Sequence, residues 1–145
     1  MILLATATPW ESRPLALSLG LTLIPKIKPV CFQGTSQNQD IWLLETGMGK
    51  KSTFQALTAF DSGTNPTPRV VLSVGFAGAL LPNINSGDIV AQLHDAPFKI
   101  LEAAQAIAEK LSLSLHLGNI LTSDNIISDP REKKTMGEKT RKLAV

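Results

Sequence analysis

Val71-Leu72-Ser73-Val74-Gly75-Phe76-Ala77-Gly78-Ala79-Leu80, closed by Ser86-Gly87-Asp88-Ile89-Val90, decides the fold class. An apolar run feeds a small-residue turn, and a Gly-Asp step opens a second apolar run. A strand buried on both faces reads like the first run, and glycines after it allow positive φ or close approach of backbone to a bound group. A turn of this kind at the carboxyl end of a parallel strand is where open α/β sheets bind ligands.

Working outward, the same alternation recurs. Met1 to Ala7 reads as a buried first strand, with Thr8-Pro9-Trp10-Glu11 as a turn and Ser12 to Leu19 as a short helix stopped by Gly20. Leu21 to Phe32 is apolar but broken by Pro25 and Pro29, hence an edge strand or irregular. Gly34 to Asp40 reads as a polar turn, and Ile41 to Glu45 as a strand. Thr46-Gly47-Met48-Gly49-Lys50 is a glycine turn into a helix over Ser52 to Phe60. Asp61 to Pro68 is a loop, and Arg69 to Val74 is the clearest strand. Strands at Asp88–Leu93 and Leu115–Leu121 flank an amphipathic helix over Phe98–Leu111. The apolar side of that helix carries Ile100, Leu101, Ala104, Ile107, Ala108 and Leu111. Asp129 and Pro130 open a last helix to about Arg141, and Leu143-Ala144-Val145 resumes a strand pattern. Strands alternating with helices imply a three-layer α/β fold, with a mixed, mostly parallel sheet flanked by helices.

The bulk composition excludes several classes. The length of 145 residues is that of one domain, so residues 1–145 read as a single domain. A 43% hydrophobic, 18% charged chain can build a core and is not disordered. No apolar run reaches the roughly 18–20 residues of a membrane span, and no membrane partner is expected. Met1-Ile2-Leu3-Leu4-Ala5 lacks the basic start of a signal peptide. The lone Cys31 excludes an internal disulfide, fits a reducing cytoplasm, and reads as a core residue. Six basic and two acidic residues fall between Arg131 and Lys142, which reads as a solvated helix face. With no tyrosine and few aromatics, nucleic acid is not an expected partner.

Four loops follow strands and gather at one sheet edge if those strands are parallel: Thr8–Glu11, Thr46–Lys50, Gly75–Gly78 and Thr122–Ile127. Glu11 is the carboxylate of the first loop. It can act as a general base on water, or it is a helix-start glutamate favoured by the helix dipole. Thr46–Lys50 fits neither the Walker spacing nor the dinucleotide spacing. Its use is close backbone approach, with Met48 offering a soft apolar surface to a flat ring, or simply a strand-to-helix turn. His94 and His116 have no metal-ligand spacing around them, and no metal or cofactor is expected. Asp124 and Asn125 can contact a ligand or satisfy their own turn.

Taken in order, Thr8-Pro9-Trp10-Glu11, Thr46-Gly47-Met48-Gly49-Lys50, Ser73 to Leu80, Gly87-Asp88-Ile89-Val90 and Ser123-Asp124-Asn125-Ile126-Ile127 resemble the nucleoside phosphorylase and nucleosidase superfamily. The opening Leu4 to Glu11 looks most like futalosine hydrolase, and Ser123 to Val145 more like the hopanoid-associated branch, so no substrate is chosen. The resemblance implies cleavage of a purine nucleoside at its N-glycosidic bond. The chemistry needs an activated nucleophile below the sugar, held ribose hydroxyls, and a protonated or hydrogen-bonded purine. It implies that Glu11 activates water, that Met48 packs at the sugar side, that Phe76, Ala77 and Gly78 form the floor, and that Asn125, Ile126 and Ile127 cup the purine. Phe76 stands where nucleosidases often carry a small hydroxyl residue, which dries that corner and disfavours phosphate.

Family members are longer and carry, beyond the strand begun at Leu143, a Met-Glu ribose clamp and an aspartate that assists purine departure. The domain is therefore expected to be incomplete, cut at the C-terminus, and weak or inactive. Loss of a positioned acid typically costs about 10²–10⁴-fold. An exposed apolar face and homo-oligomer formation are expected with it. The alternative is a non-catalytic remnant that binds a purine or nucleoside or serves assembly.

Overall fold

Leu3 and Leu4 are consecutive in one strand, so their side chains leave the sheet on opposite faces, and Leu43 and Leu44 repeat the arrangement in the neighbouring strand. Each face is covered by one helix, and this double burial organises the first part of the chain. The computed structural model describes residues 1–62, 66–93 and 98–145. The chain divides into two compact units, Met1–Phe76 and Ala77–Val145, each described by itself.

In the first unit, β1 (Ile2–Thr6), α1 (Pro9–Leu19), β2 (Thr22–Leu23), β3 (Cys31–Ser36), β4 (Gln39–Glu45), α2 (Lys50–Asp61) and β5 (Val70–Ser73) follow in order. The sheet order is β2-β3-β4-β1-β5. β1 is parallel to β4 and β5, while β3 is antiparallel to β2 and β4. Leu3, Cys31 and Leu44 pack under Ala56 and Phe60 of α2. Leu4, Ile41 and Leu43 pack under Ala16 of α1, together with Leu21. The unit is thus three layers, helix on sheet on helix. Each fully buried leucine contributes about 1.5–3 kcal/mol. Trp42 meets the edge of Phe60 at 5.5 Å between ring centroids.

Two local readings need correction. Thr8–Glu11 is no separate turn: Thr8 is the extended N-cap of α1, and Pro9 is its first residue. Gly34–Asp40 is no loop either. β3 runs through Gly34 to Ser36, and the reversal is the two residues Gln37 and Asn38, with φ of 49° and 60°. Positive φ at both central residues is what a tight type I′ hairpin needs. The polar composition of β3 hides it, because pairing with the buried β4 outweighs weak strand propensity. Gly20 ends α1 with φ 66°, as its position suggests.

The second unit contains β6 (Ile89–Ala91), α3 (Phe98–Lys110), β7 (Leu115–Leu117) and α4 (Pro130–Thr140). β6 and β7 are parallel neighbours, and α3 lies between them in sequence as a crossover does. The strand expected over Leu115–Leu121 breaks after Leu117, and Ile120 then bridges Ala144, which also bridges Ala79. The extended pattern of Leu143–Val145 is thereby realised as the middle of a small ladder. The expected apolar side of α3 is only half used. Leu101, Ala104 and Ala108 are sheltered, while Ile100, Ile107 and Leu111 are exposed. Asp129 caps α4, accepting from Arg131 N at 2.8 Å, as its place before Pro130 suggests. His94 and part of the Asp61–Pro68 loop lie outside the described residues.

Cys31 is buried, and its thiol is pushed up to about 11, first by burial and then by the nearby Glu45 charge. In the unfolded chain it ionises near 9.0. Between those values the unfolded state sheds a proton that the folded state keeps, so stability falls as pH rises from about 9 to about 11. The expected loss is about 2–3 kcal/mol. Urea titrations at pH 8 and pH 11 should show it, and the pH slope should vanish in Cys31→Ala.

Candidate active site

The parallel trio β4, β1 and β5 ends at one edge. Thr46 N donates to Thr6 O, and Val74 N donates to Ala5 O, both at 2.8 Å. Glu11, Met48 and Phe76 follow these three neighbouring strand ends, so the first unit brings these sequence-predicted residues to one edge.

Glu11 is the third residue of α1, and its carboxylate turns back on the strand end. Oε2 accepts from Ala7 N at 2.9 Å, from Thr8 N at 2.8 Å and from Thr8 Oγ1 at 3.1 Å. Oε1 accepts from Phe76 N at 3.0 Å. One side chain thereby ties the exit of β1 to the exit of β5. A carboxylate offers about four acceptor sites, two per oxygen. Oε2 is saturated, whereas Oε1 carries a single described donor and keeps a direction for a water. Gly75 makes this possible, since a Cβ there would overlap Oε1 and lie 3.1 Å from the Glu11 Cδ.

Around the carboxylate the edge is open and apolar. Trp10, Met48 and Phe76 are all largely exposed, Phe76 at 84%. Met48 sits between Gly47 and Gly49, whose φ values of 77° and 84° fold the turn into α2. Below the turn, Thr46 Oγ1 donates to Thr6 O at 3.1 Å, and the fully buried Ser12 donates its hydroxyl to Glu45 Oε1. Sequence reasoning gave no role to Ser12, Glu45 or Thr8, and it singled out Gly75 for backbone approach to a bound group rather than for the Glu11 carboxylate. The spacing Thr8-x-x-Glu11 is the signature of a capping box and signals that Glu11 folds back on its own N-cap.

The other candidates lie in the second unit. Gly78 exchanges both backbone hydrogen bonds with Val145, so its N–H and C=O are already engaged. Ala77 and Ile126 are exposed, and Ile127 is buried. Asn125 N donates to Ser123 Oγ at 3.2 Å, so that turn is closed by Ser123. His116 Nε2 pairs with Asp88 Oδ2 at 2.8 Å. The Asn85 N–H and then His116 hold the Asp88 carboxyl below its usual range. Among the described residues no group of three His, Cys, Asp or Glu could hold a metal ion. No helix among them is long and apolar enough to cross a membrane.

No family model matches the chain. The 5′-methylthioadenosine/S-adenosylhomocysteine nucleosidase of Haemophilus influenzae strain PittEE is 28% identical over 124 residues, covering 68% of this chain and 53% of the relative. The chain thus spans about half the length of the curated relatives it matches. Among solved structures, a mutant of the Helicobacter pylori MTAN with 5′-methylthioadenosine in its active site superposes with TM-score 0.79 at 19% identity. That match covers 99% of this chain and 73% of the other. Native Helicobacter pylori futalosine hydrolase gives TM-score 0.76 at 19% identity, covering 99% and 75%. In sequence the chain is thus similar to a 5′-methylthioadenosine/S-adenosylhomocysteine nucleosidase, and its fold is that of the MTAN and futalosine hydrolase structures.

Proposed function

We propose that the chain binds a purine nucleoside and takes part in hydrolysis of its N-glycosidic bond, with Glu11 activating the water. The observation that carries this reading is the Glu11 carboxylate itself, pinned on one oxygen by Ala7 and Thr8 and left with an acceptor direction on the other. A general base must be ordered and must keep a lone pair for the proton it takes. Met48 and Phe76 supply apolar surface beside it for the sugar and base. Asn125, Ile126 and Ile127 are proposed to meet the purine, and Ala77 and Gly78 to lie beneath the sugar. Water rather than phosphate is the proposed nucleophile, because Phe76 offers no hydroxyl or charge to an anion. Glu11 meets one of the three requirements of the chemistry, and no described residue is assigned to hold the ribose hydroxyls or to protonate the departing purine. Turnover by these 145 residues is therefore proposed to be slow. The exposed Ile100, Ile107 and Leu111 are a proposed surface for self-association.

A second reading has an observation of its own. Four donors on one carboxylate also describe a structural clip, in a protein that binds a nucleoside without cleaving it. Free purine release from methylthioadenosine, S-adenosylhomocysteine, futalosine, adenosine and inosine, each with and without phosphate, separates the two. Release from any of them that needs no phosphate is the expected result. Absence of release from all five, with free bases still bound, would establish the clip instead.

A further inference from the structure

Ser12 follows Glu11 in the chain and is one of the most deeply buried polar residues, with no exposed surface. Its hydroxyl donates to Glu45 Oε1. Glu45 is the last residue of β4 and stands beside Thr6, the last residue of β1, in the parallel register. Its backbone is fixed as well, since Glu45 N donates to Val30 O at 2.9 Å. A strand-end carboxylate therefore anchors the first turn of α1 from below, at the residue next to Glu11.

We propose that Glu45, acting through Ser12, is a positioning residue that fixes the first turn of α1 so that the Glu11 carboxylate meets Ala7 N, Thr8 N and Phe76 N. A buried hydroxyl that loses its acceptor must find another partner, and here that requires moving the turn that carries Glu11. Glu45 touches neither the proposed water nor the nucleoside. Only the kinetic consequence rests on the reading of Glu11 as the water-activating group.

Amide hydrogen exchange on the full chain tests the proposal without any turnover. Ala7, Thr8 and Phe76 report the Glu11 bonds, and Leu43 and Leu44 in β4 serve as references. In Ser12→Ala and in Glu45→Ala the three reporters should exchange about tenfold faster, with the references unchanged. Glu45→Gln keeps an oxygen for the Ser12 hydroxyl and should restore protection, although it removes the charge just as Glu45→Ala does. Unchanged reporters would overturn the proposal. So would equal acceleration at Leu43 and Leu44, or a Glu45→Gln variant that behaves like Glu45→Ala. If purine release is measurable, kcat should fall in the two alanine variants with KM unchanged. Loosened reporters with unaltered kcat would leave the positioning intact and remove Glu11 from the chemistry.

Discussion

Glu11→Gln is expected to lower purine release by about 10²–10⁴-fold while lowering stability by only about 1 kcal/mol. The two effects have different origins in the same side chain. Glutamine keeps one oxygen, and three donors at Ala7 and Thr8 compete for it. Its amide nitrogen then points where Oε1 stood, toward Phe76 N, and two donors face each other. A fully buried N–H in that position would cost toward 3 kcal/mol. Phe76 is exposed, so water can take its N–H, and the cost stays at the low end. The chemistry has no such relief, because an amide nitrogen has no lone pair with which to accept the proton of the attacking water. Thermal denaturation and purine release on the same preparation separate the two effects. A variant that melts near the parent and still releases purine at the parental rate would exclude Glu11 as the base.

Much of this arrangement was legible in the sequence because it rests on period and punctuation. The apolar run at Ile2–Thr6 is a strand buried between layers, and runs of that kind announce themselves. Val70–Ser73 is a strand as its run suggests, but as the outermost strand of the sheet it is not buried on both faces, with Val71 and Leu72 exposed. Gly20, Gly47, Gly49 and the Asp129-Pro130 step mark ends and starts that the structure realises with left-handed φ and a side-chain cap. What escaped lies where tertiary pairing overrules composition. Gly34–Ser36 is polar enough to pass for a turn, and only the neighbouring β4 makes it part of a strand. The exposed half of α3 escaped for a related reason. Periodicity identifies an apolar side without saying how much of it a partner covers.

At the candidate site the residue that projects chemistry was visible, and the residues that hold it were not. Glu11 stands out as a carboxylate after a strand. Ser12 and Glu45 are separated by more than thirty positions and meet only because β1 and β4 are parallel neighbours. Gly75 was legible as a glycine after a strand. Its actual reason, the Glu11 carboxylate lying where a Cβ would go, requires the fold.

The same distinction sets the sign of the second large effect. Gly137 lies inside α4, where replacement by alanine should by propensity alone gain about 1 kcal/mol. The packing says otherwise. A Cβ at Gly137 would overlap the Leu80 carbonyl oxygen, lie 3.0 Å from its carbon and 3.3 Å from the Leu80 Cβ. Leu80 cannot retreat easily. It is buried, and its N–H is held by Leu143 O at 2.9 Å in the ladder that also pairs Gly78 with Val145. The obstacle is backbone rather than the far end of a flexible side chain, so α4 itself must move, which uncovers apolar surface along its contact with Leu80. Overpacking of this kind costs about 1–3 kcal/mol and sometimes more. Gly137→Ala is therefore expected to lose about 2 kcal/mol net of the propensity gain. Glu138→Ala, at the exposed neighbouring position, should change stability by no more than about 0.5 kcal/mol. Urea denaturation followed by far-ultraviolet circular dichroism compares the two. A Gly137→Ala chain as stable as the parent would mean that α4 does not press on the Leu80 backbone, and propensity would then decide the sign.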